Sequence, residues 1–98
     1  MSEPDEHKLN RDISRQARAQ ALLDNELLKE AFADLEAKYI AAWRVTGALE
    51  TVARERIWQA IQVLGKVRDH LGKIVADGKL AQREIDDLQA KRKRFGII

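Results

Sequence analysis

The chain contains no cysteine, which excludes a disulfide framework and any thiolate metal site. Its single proline is Pro4, so no later residue interrupts a helix by lacking a backbone N–H. No apolar run approaches the roughly 18 residues of a membrane span, and the first residues lack the basic and apolar regions of a secretory signal. These absences predict a cytoplasmic chain that has no membrane partner.

Residue types that carry out catalysis are also scarce. Serine occurs only as Ser2 and Ser14, and the two histidines are His7 and His70. His70 follows Asp69, but neighbouring positions on a helix point about 100° apart and do not form a catalytic dyad. Phosphate loops, nucleophile elbows and the Glu-x-x-His metal pattern are absent from the sequence. The sequence therefore predicts a non-enzyme with no cofactor, no metal and no small-molecule substrate.

Charged residues make up 35% of the 98 residues, above the roughly 25% that is typical of globular chains. Such a fraction on a short chain favours long helices with much surface. The formal net charge is only +2, but acidic residues lie at the start and basic residues at the end. The predicted organisation is an acidic flexible arm at 1–12, a single helical domain at 13–94 and an apolar tail at 95–98.

Apolar spacing predicts the first well-defined helix. Asp24 and Asn25 are good helix caps and indicate a restart or a kink after a weak helix that begins near Ile13. The apolar residues that follow are separated alternately by four and three positions, so they lie on one face of a helix: Leu28, Phe32, Leu35, Tyr39 and Ala42. Thr46-Gly47 indicates the end of this helix, and the short connection predicts an antiparallel return.

The second long helix is expected from about residue 50 to 76, and its apolar residues follow a heptad pattern. Two rows repeat every seven residues: Ile57, Leu64 and Leu71, and then Ala60, Val67 and Ile74. Asp77-Gly78 is predicted to end this helix, and a shorter basic helix is expected at about 80–94. The predicted fold is therefore all-α, an antiparallel helical hairpin of two long helices plus a shorter basic C-terminal helix.

A separate row on the second helix consists of Trp58, Gly65 and Gly72, again seven residues apart. Close packing of another helix explains internal glycines, and neutral variation on a solvated edge is the alternative. Trp43 and Trp58 either pack on each other as the hairpin closes or anchor an interface. Because a two-helix hairpin cannot enclose its own apolar arc, we predict a homo-oligomer with Trp43, Trp58, Gly65 and Gly72 at the interface.

The strongest polar signal is the basic block at the end of the chain, formed by Lys91, Arg92, Lys93 and Arg94. Such a cluster is able to neutralise phosphates and suggests a nucleic-acid contact. Alternatively, these cations interact with the dipole at a helix C-terminus and keep the protein in solution.

Two stretches have a familiar pattern: LKEAFADLEAKYIAAWR at 28–44 and RERIWQAIQVLGKVRDHL at 54–71. Together they resemble small helical proteins encoded by tailed phages and prophages of proteobacteria, often near head and packaging genes. The resemblance implies a non-catalytic role in head morphogenesis or DNA packaging, in the host cytoplasm or in the virion, as a ring-forming small terminase subunit or a head component. The N-terminus shows no convincing helix-turn-helix, unlike small terminase subunits. A small adaptor or inhibitor that docks on a host protein is the remaining alternative.

Overall fold

The structure, a computed structural model, describes residues 5–96 and contains three helices and no strand in that range. The helices are α1 (Glu6–Asp24), α2 (Glu26–Arg44) and α3 (Thr51–Arg94). The predicted all-α class is confirmed. The contacts divide the chain into two compact units. The single helical domain over 13–94 stays a prediction. Unit 1 comprises residues 5–21 and 71–96 of the described chain, and unit 2 comprises Leu22–His70.

Helix α1 begins earlier than the sequence predicts. The Asp5 carboxylate accepts hydrogen bonds from the backbone N–H groups of His7, at 3.0 Å, and Lys8, at 3.3 Å. An aspartate in this position satisfies donors that would otherwise be unpaired in the first turn. The predicted helix start near Ile13 is therefore wrong, because residues 6–12 of the expected arm are helical. Residues 1–4 of that arm lie outside the described residues.

The break between α1 and α2 is the predicted restart. Asn25 has an extended conformation, and its side-chain oxygen accepts a hydrogen bond from the backbone N–H of Leu28 at 2.9 Å. Helix α2 ends at Arg44, and the turn that follows contains Thr46 and Gly47 as predicted. Both boundaries are confirmed, because local capping chemistry determines each of them.

Helix α3 runs without interruption from Thr51 to Arg94. The predicted stop at Asp77-Gly78 and the separate short helix after it are therefore wrong. Gly78 lies inside the helix, and Gly96, just past the helix end, is the residue of the described chain with a positive φ, of 69°. A left-handed glycine at that position is a common helix terminator. Glycine therefore terminates the helix at Gly96 and not at Gly78.

Gly78 remains helical because α1 packs directly against it in unit 1. A Cβ atom at this position would clash with the Cβ atom of Gln16 and would lie 2.8 Å from the carbonyl oxygen of Asp12. Small and medium apolar residues form the buried core on both sides of this contact: Leu9, Ala19, Val75 and Ala81. Arg92 near the end of α3 forms an ion pair with Glu6 at the start of α1, so the two segments run in opposite directions.

Candidate protein-protein interface

Unit 2 pairs α2 with the first part of α3. Trp43, near the end of α2, contacts Arg54, near the start of α3, whereas Phe32 contacts Arg68 farther from the turn. The inward apolar side chains are only half-buried: Leu28, Phe32, Tyr39, Ile57, Ile61 and Leu64. No residue of unit 2 is buried, in contrast to the core of unit 1. The pair of helices therefore leaves its apolar contact open to solvent.

Arg54 is the main polar anchor of the turn in unit 2. Its guanidinium donates hydrogen bonds to the carbonyl oxygen of Thr46, at 3.1 Å, and to the Thr46 hydroxyl, at 2.7 Å. The same guanidinium lies 4.4 Å from the ring centroid of Trp43, in cation–π geometry. One half-buried side chain thus connects the end of α2, the turn and the start of α3. In the sequence, Arg54 has no feature that distinguishes it from an ordinary surface cation.

We expect Arg54→Met to lower the free energy of unfolding by about 2 kcal/mol, because the hydrogen bonds of a charged donor and one cation–π contact are lost. Arg56→Met is the matched control, because Arg56 is exposed on the same helix. We expect the control to change stability by less than about 0.5 kcal/mol. Urea unfolding followed by tryptophan fluorescence measures both. Equal losses in the two variants would contradict the anchoring role.

Farther from the turn, Arg68 connects the two helices of unit 2 a second time. Its guanidinium lies 3.5 Å from a carboxylate oxygen of Glu36 and 5.3 Å from the ring centroid of Phe32. Both ion-pair partners are nearly half exposed, so the pair contributes little to stability. The Arg68–Glu36 pair connects α2 and α3 at their surface and does not bury the apolar side chains between them.

Trp43 and Trp58 line one open groove of about 460 Å³, together with Arg54 and Glu55. Trp43 is 36% exposed and Trp58 is 49% exposed. Arg54, and not Trp58, is the side chain that stacks on the Trp43 ring. A half-exposed tryptophan beside a groove presents a large apolar area to solvent, which is typical of residues that anchor interfaces.

The sequence suggests that another helix packs closely against the glycines of the Trp58 row. Within the described chain, no helix does so. In the described part of the molecule, no atom beyond the local helix backbone lies within 4 Å of a Cβ position at Gly65 or Gly72. Gly65 belongs to unit 2 and shares the side of α3 that carries Trp58, whereas Gly72 belongs to unit 1. The close backbone approach occurs instead at Gly78, as described above. The interface role of Gly65 and Gly72 stays a prediction.

A second group of apolar residues in unit 2 is exposed on other sides of the helices. Leu35 on α2 is 42% exposed, although the sequence places it on the inward stripe. On α3, Val63 and Val67 are 55% and 46% exposed. Val67 follows Trp58 by nine positions, which places the two residues on opposite sides of α3. Unit 2 therefore exposes apolar residues on more than one face.

The predicted basic cluster forms the last turn of α3, and its side chains are exposed. Two of its members already have contacts within unit 1: Arg92 pairs with Glu6, and Arg94 lies 5.2 Å from the ring centroid of Phe95. Lys91 and Lys93 have no ion-pair partner within residues 5–96. The cluster is thus partly engaged in local contacts. Ile97 and Ile98 of the predicted apolar tail lie outside the described residues.

The described residues contain no group of three His, Asp or Glu side chains placed to hold a metal ion. His7 and His70 are both exposed, one on α1 and the other at the end of unit 2. Within residues 5–96, no helix combines the length and apolar character needed to cross a membrane.

The fold places this chain in the class of all-helical proteins. Comparison with protein-family models, with curated proteins and with solved structures found no match to the chain.

Proposed function

We propose that this protein is non-catalytic and works by self-association through the exposed apolar surface of unit 2. The observation that carries this proposal is the contrast between the units. Unit 1 has a buried core, whereas unit 2 contains large apolar side chains and buries none of them. Exposed apolar surface of this kind normally marks a contact with another molecule.

The proposed association surface consists of Trp43, Trp58 and Gly65. Trp58 is the more exposed of the two tryptophans, and tryptophan is enriched among residues that dominate binding energy. Gly65 leaves open space one heptad farther along α3, which lets a second helix approach closely. A helix from another copy that occupied this space would explain why a glycine is found there.

The charge of unit 2 favours a second copy as the occupant. The segment Leu22–His70 contains eight Asp and Glu residues and seven Lys and Arg residues, a net of −1. A nearly neutral surface of mixed sign does not repel its own copy, and it is able to form complementary pairs across a symmetric interface. A strongly charged surface would instead favour a partner of opposite charge.

The resemblance at 28–44 and 54–71 supports a more specific role. We propose that the oligomer is a phage or prophage assembly or DNA-packaging accessory, as a small-terminase-like oligomer or a head component. An adaptor that docks on a host protein would use the same exposed surface as a monomer. The oligomeric state therefore distinguishes these two roles.

We expect the midpoint of thermal unfolding to rise with protein concentration, because mass action stabilises a folded state that associates. Circular dichroism over roughly a hundredfold range of concentration measures this shift. A midpoint that does not change over that range would contradict self-association and would favour the monomeric adaptor.

A further inference from the structure

Helix α1 carries a row of basic residues that is separate from the basic cluster at the end of α3. Lys8, Arg11, Arg15 and Arg18 follow spacings of three, four and three, and all four are exposed. At about 100° per residue these positions fall within one narrow sector of the helix. We call this row the basic stripe. It extends about 15 Å along α1, from the helical rise per residue.

One acidic residue of α1, the half-buried Asp12, lies among the cations of the basic stripe in sequence, but it forms no ion pair with any of them within residues 5–96. None of the four cations of the stripe has an ion-pair partner within residues 5–96. The acidic residues that flank it, Asp5 and Glu6, are engaged elsewhere: Asp5 caps α1, and Glu6 pairs with Arg92. The four cations of the stripe are therefore exposed and unpaired within the described residues.

The arrangement is unfavourable for α1 itself. Like charges three or four positions apart on a helix repel each other. Lys8 and Arg11 also lie near the positive N-terminal end of the helix dipole, where cations are disfavoured. Asp12, four positions after Lys8 and three before Arg15, offsets part of this repulsion. Four exposed cations in one row without ion-pair partners within residues 5–96 form a surface that an anionic ligand would neutralise.

The distribution of charge between the two units agrees with an anionic partner for unit 1. The described residues of unit 1 contain eleven Lys and Arg residues against seven Asp and Glu residues, a net of +4. Unit 2 has a net charge of −1, as given above. The positive charge of this protein is thus concentrated in the unit that carries the stripe.

We propose that the basic stripe binds the phosphate backbone of duplex DNA. Arginine, which supplies three of the four cations, matches the geometry of a phosphate with its planar fork of donors. A membrane surface fits less well, because Leu9 and Ala19, the least exposed apolar residues of α1, are buried in unit 1, at 7% and 3% exposure. An amphipathic helix that enters a bilayer needs that apolar face free. Leu22 of α1 is 49% exposed, but it lies beyond the stripe and belongs to unit 2.

Duplex DNA is also favoured over single strands. The aromatic residues of this chain all lie outside α1: Phe32, Tyr39, Trp43, Trp58 and Phe95. Binding of single strands relies on aromatic side chains that stack on bases, and the stripe has none beside it. Contacts to phosphates alone position a protein on a duplex without reading its sequence. DNA binding by the stripe uses unit 1 and does not depend on self-association through unit 2.

The test uses a fluorescently labelled DNA duplex of mixed sequence and fluorescence anisotropy over a series of salt concentrations. The stripe variant is K8Q/R11Q/R15Q/R18Q. The control is K38Q/R44Q/R56Q/K66Q, which removes the same charge from exposed cations of unit 2. We expect the stripe variant to lose at least about tenfold in affinity at roughly 0.1 M salt, and the control about threefold or less. The salt dependence should weaken by about 0.9 in log–log slope for each cation that contacts phosphate.

Two further results separate a binding role from a structural one. Glutamine is a good helix former, and its introduction removes both the repulsion between the cations and their attraction to Asp12, so the stripe variant should keep its helix content and a thermal midpoint close to that of the wild type. Its oligomeric mass should equal that of the wild type, because the association surface lies in unit 2. Equal losses in both variants would overturn the proposal, as would absence of duplex binding by the wild type. Wild-type binding to phosphatidylserine vesicles but not to the duplex would overturn it in favour of a membrane.

Discussion

Gly78→Ala is expected to lower the free energy of unfolding by about 2 kcal/mol, although alanine favours a helix over glycine by about 1 kcal/mol. The added methyl group would collide with the Cβ atom of Gln16 and approach the carbonyl oxygen of Asp12 to 2.8 Å. The Gln16 Cβ atom and the Asp12 carbonyl oxygen are fixed by the backbone of α1, so rotation of a side chain cannot move either of them away. The clash therefore outweighs the gain in helix propensity.

Gly72→Ala is the matched control, on the same helix and six positions away. Nothing beyond the local helix backbone lies within 4 Å of its Cβ position in the described residues. We expect this change to stabilise the protein by roughly 0.5–1 kcal/mol through helix propensity alone. Urea unfolding followed by circular dichroism measures both variants. Stabilisation by Gly78→Ala would show that α1 does not pack closely against α3 at this point.

Trp58→Glu is expected to convert the proposed oligomer into a monomer. An interfacial tryptophan near the centre of a contact typically contributes 2 kcal/mol or more, so the dissociation constant should rise by at least about thirtyfold. The glutamate adds charge repulsion between copies. Because Trp58 is 49% exposed in the single chain, helix content should remain close to that of the wild type. Sedimentation velocity at several concentrations measures the change.

Two further variants determine which face associates. Leu49→Glu introduces the same charge at a turn residue that is 96% exposed and lies outside the proposed surface, so its mass should match the wild type. V63E/V67E changes the side of α3 that lies away from Trp58. If V63E/V67E gives a monomer and Trp58→Glu does not, the Trp58 surface is the wrong assignment, although self-association remains correct.

Elements governed by local chemistry were predictable from the sequence. Asn25 is a strong cap because its side chain reaches the N–H of Leu28 three positions later, which requires no tertiary contact. The turn at Thr46-Gly47 depends equally on nearby residues. The start of α1 was also accessible, since Asp5 is a capping residue followed by a helical spacing of Leu9 and Ile13. The acidic, proline-containing start of the chain concealed that pattern.

The continuity of α3 was not predictable from local rules. Asp77-Gly78 has the composition of a helix stop, but the glycine is required inside the helix because α1 approaches it there. Only the tertiary contact with Gln16 distinguishes the two roles of the same residue. Gly65 and Gly72 differ from Gly78. Their spacing suggests that another helix packs closely against them, but no other part of the described chain does so.

The candidate interaction surfaces were predictable in part. Trp43 and Trp58 were identified from their type and position, but Arg54, which organises the groove between them, looks like an ordinary surface cation in sequence. The spacing of Lys8 and Arg11 in the basic stripe is visible in the sequence. These two residues join Arg15 and Arg18 on one helix face only because α1 starts at Glu6, which places Lys8 and Arg11 in the helix.

Self-association of unit 2 is tested most directly by the absolute mass in solution, from light scattering on a sizing column at low and high salt. We expect a multiple of the 11.2 kDa chain that does not change with salt, because an apolar surface holds the copies together. A mass of 11.2 kDa at both salt concentrations would contradict the account and would leave the surface of Trp43 and Trp58 to a different protein.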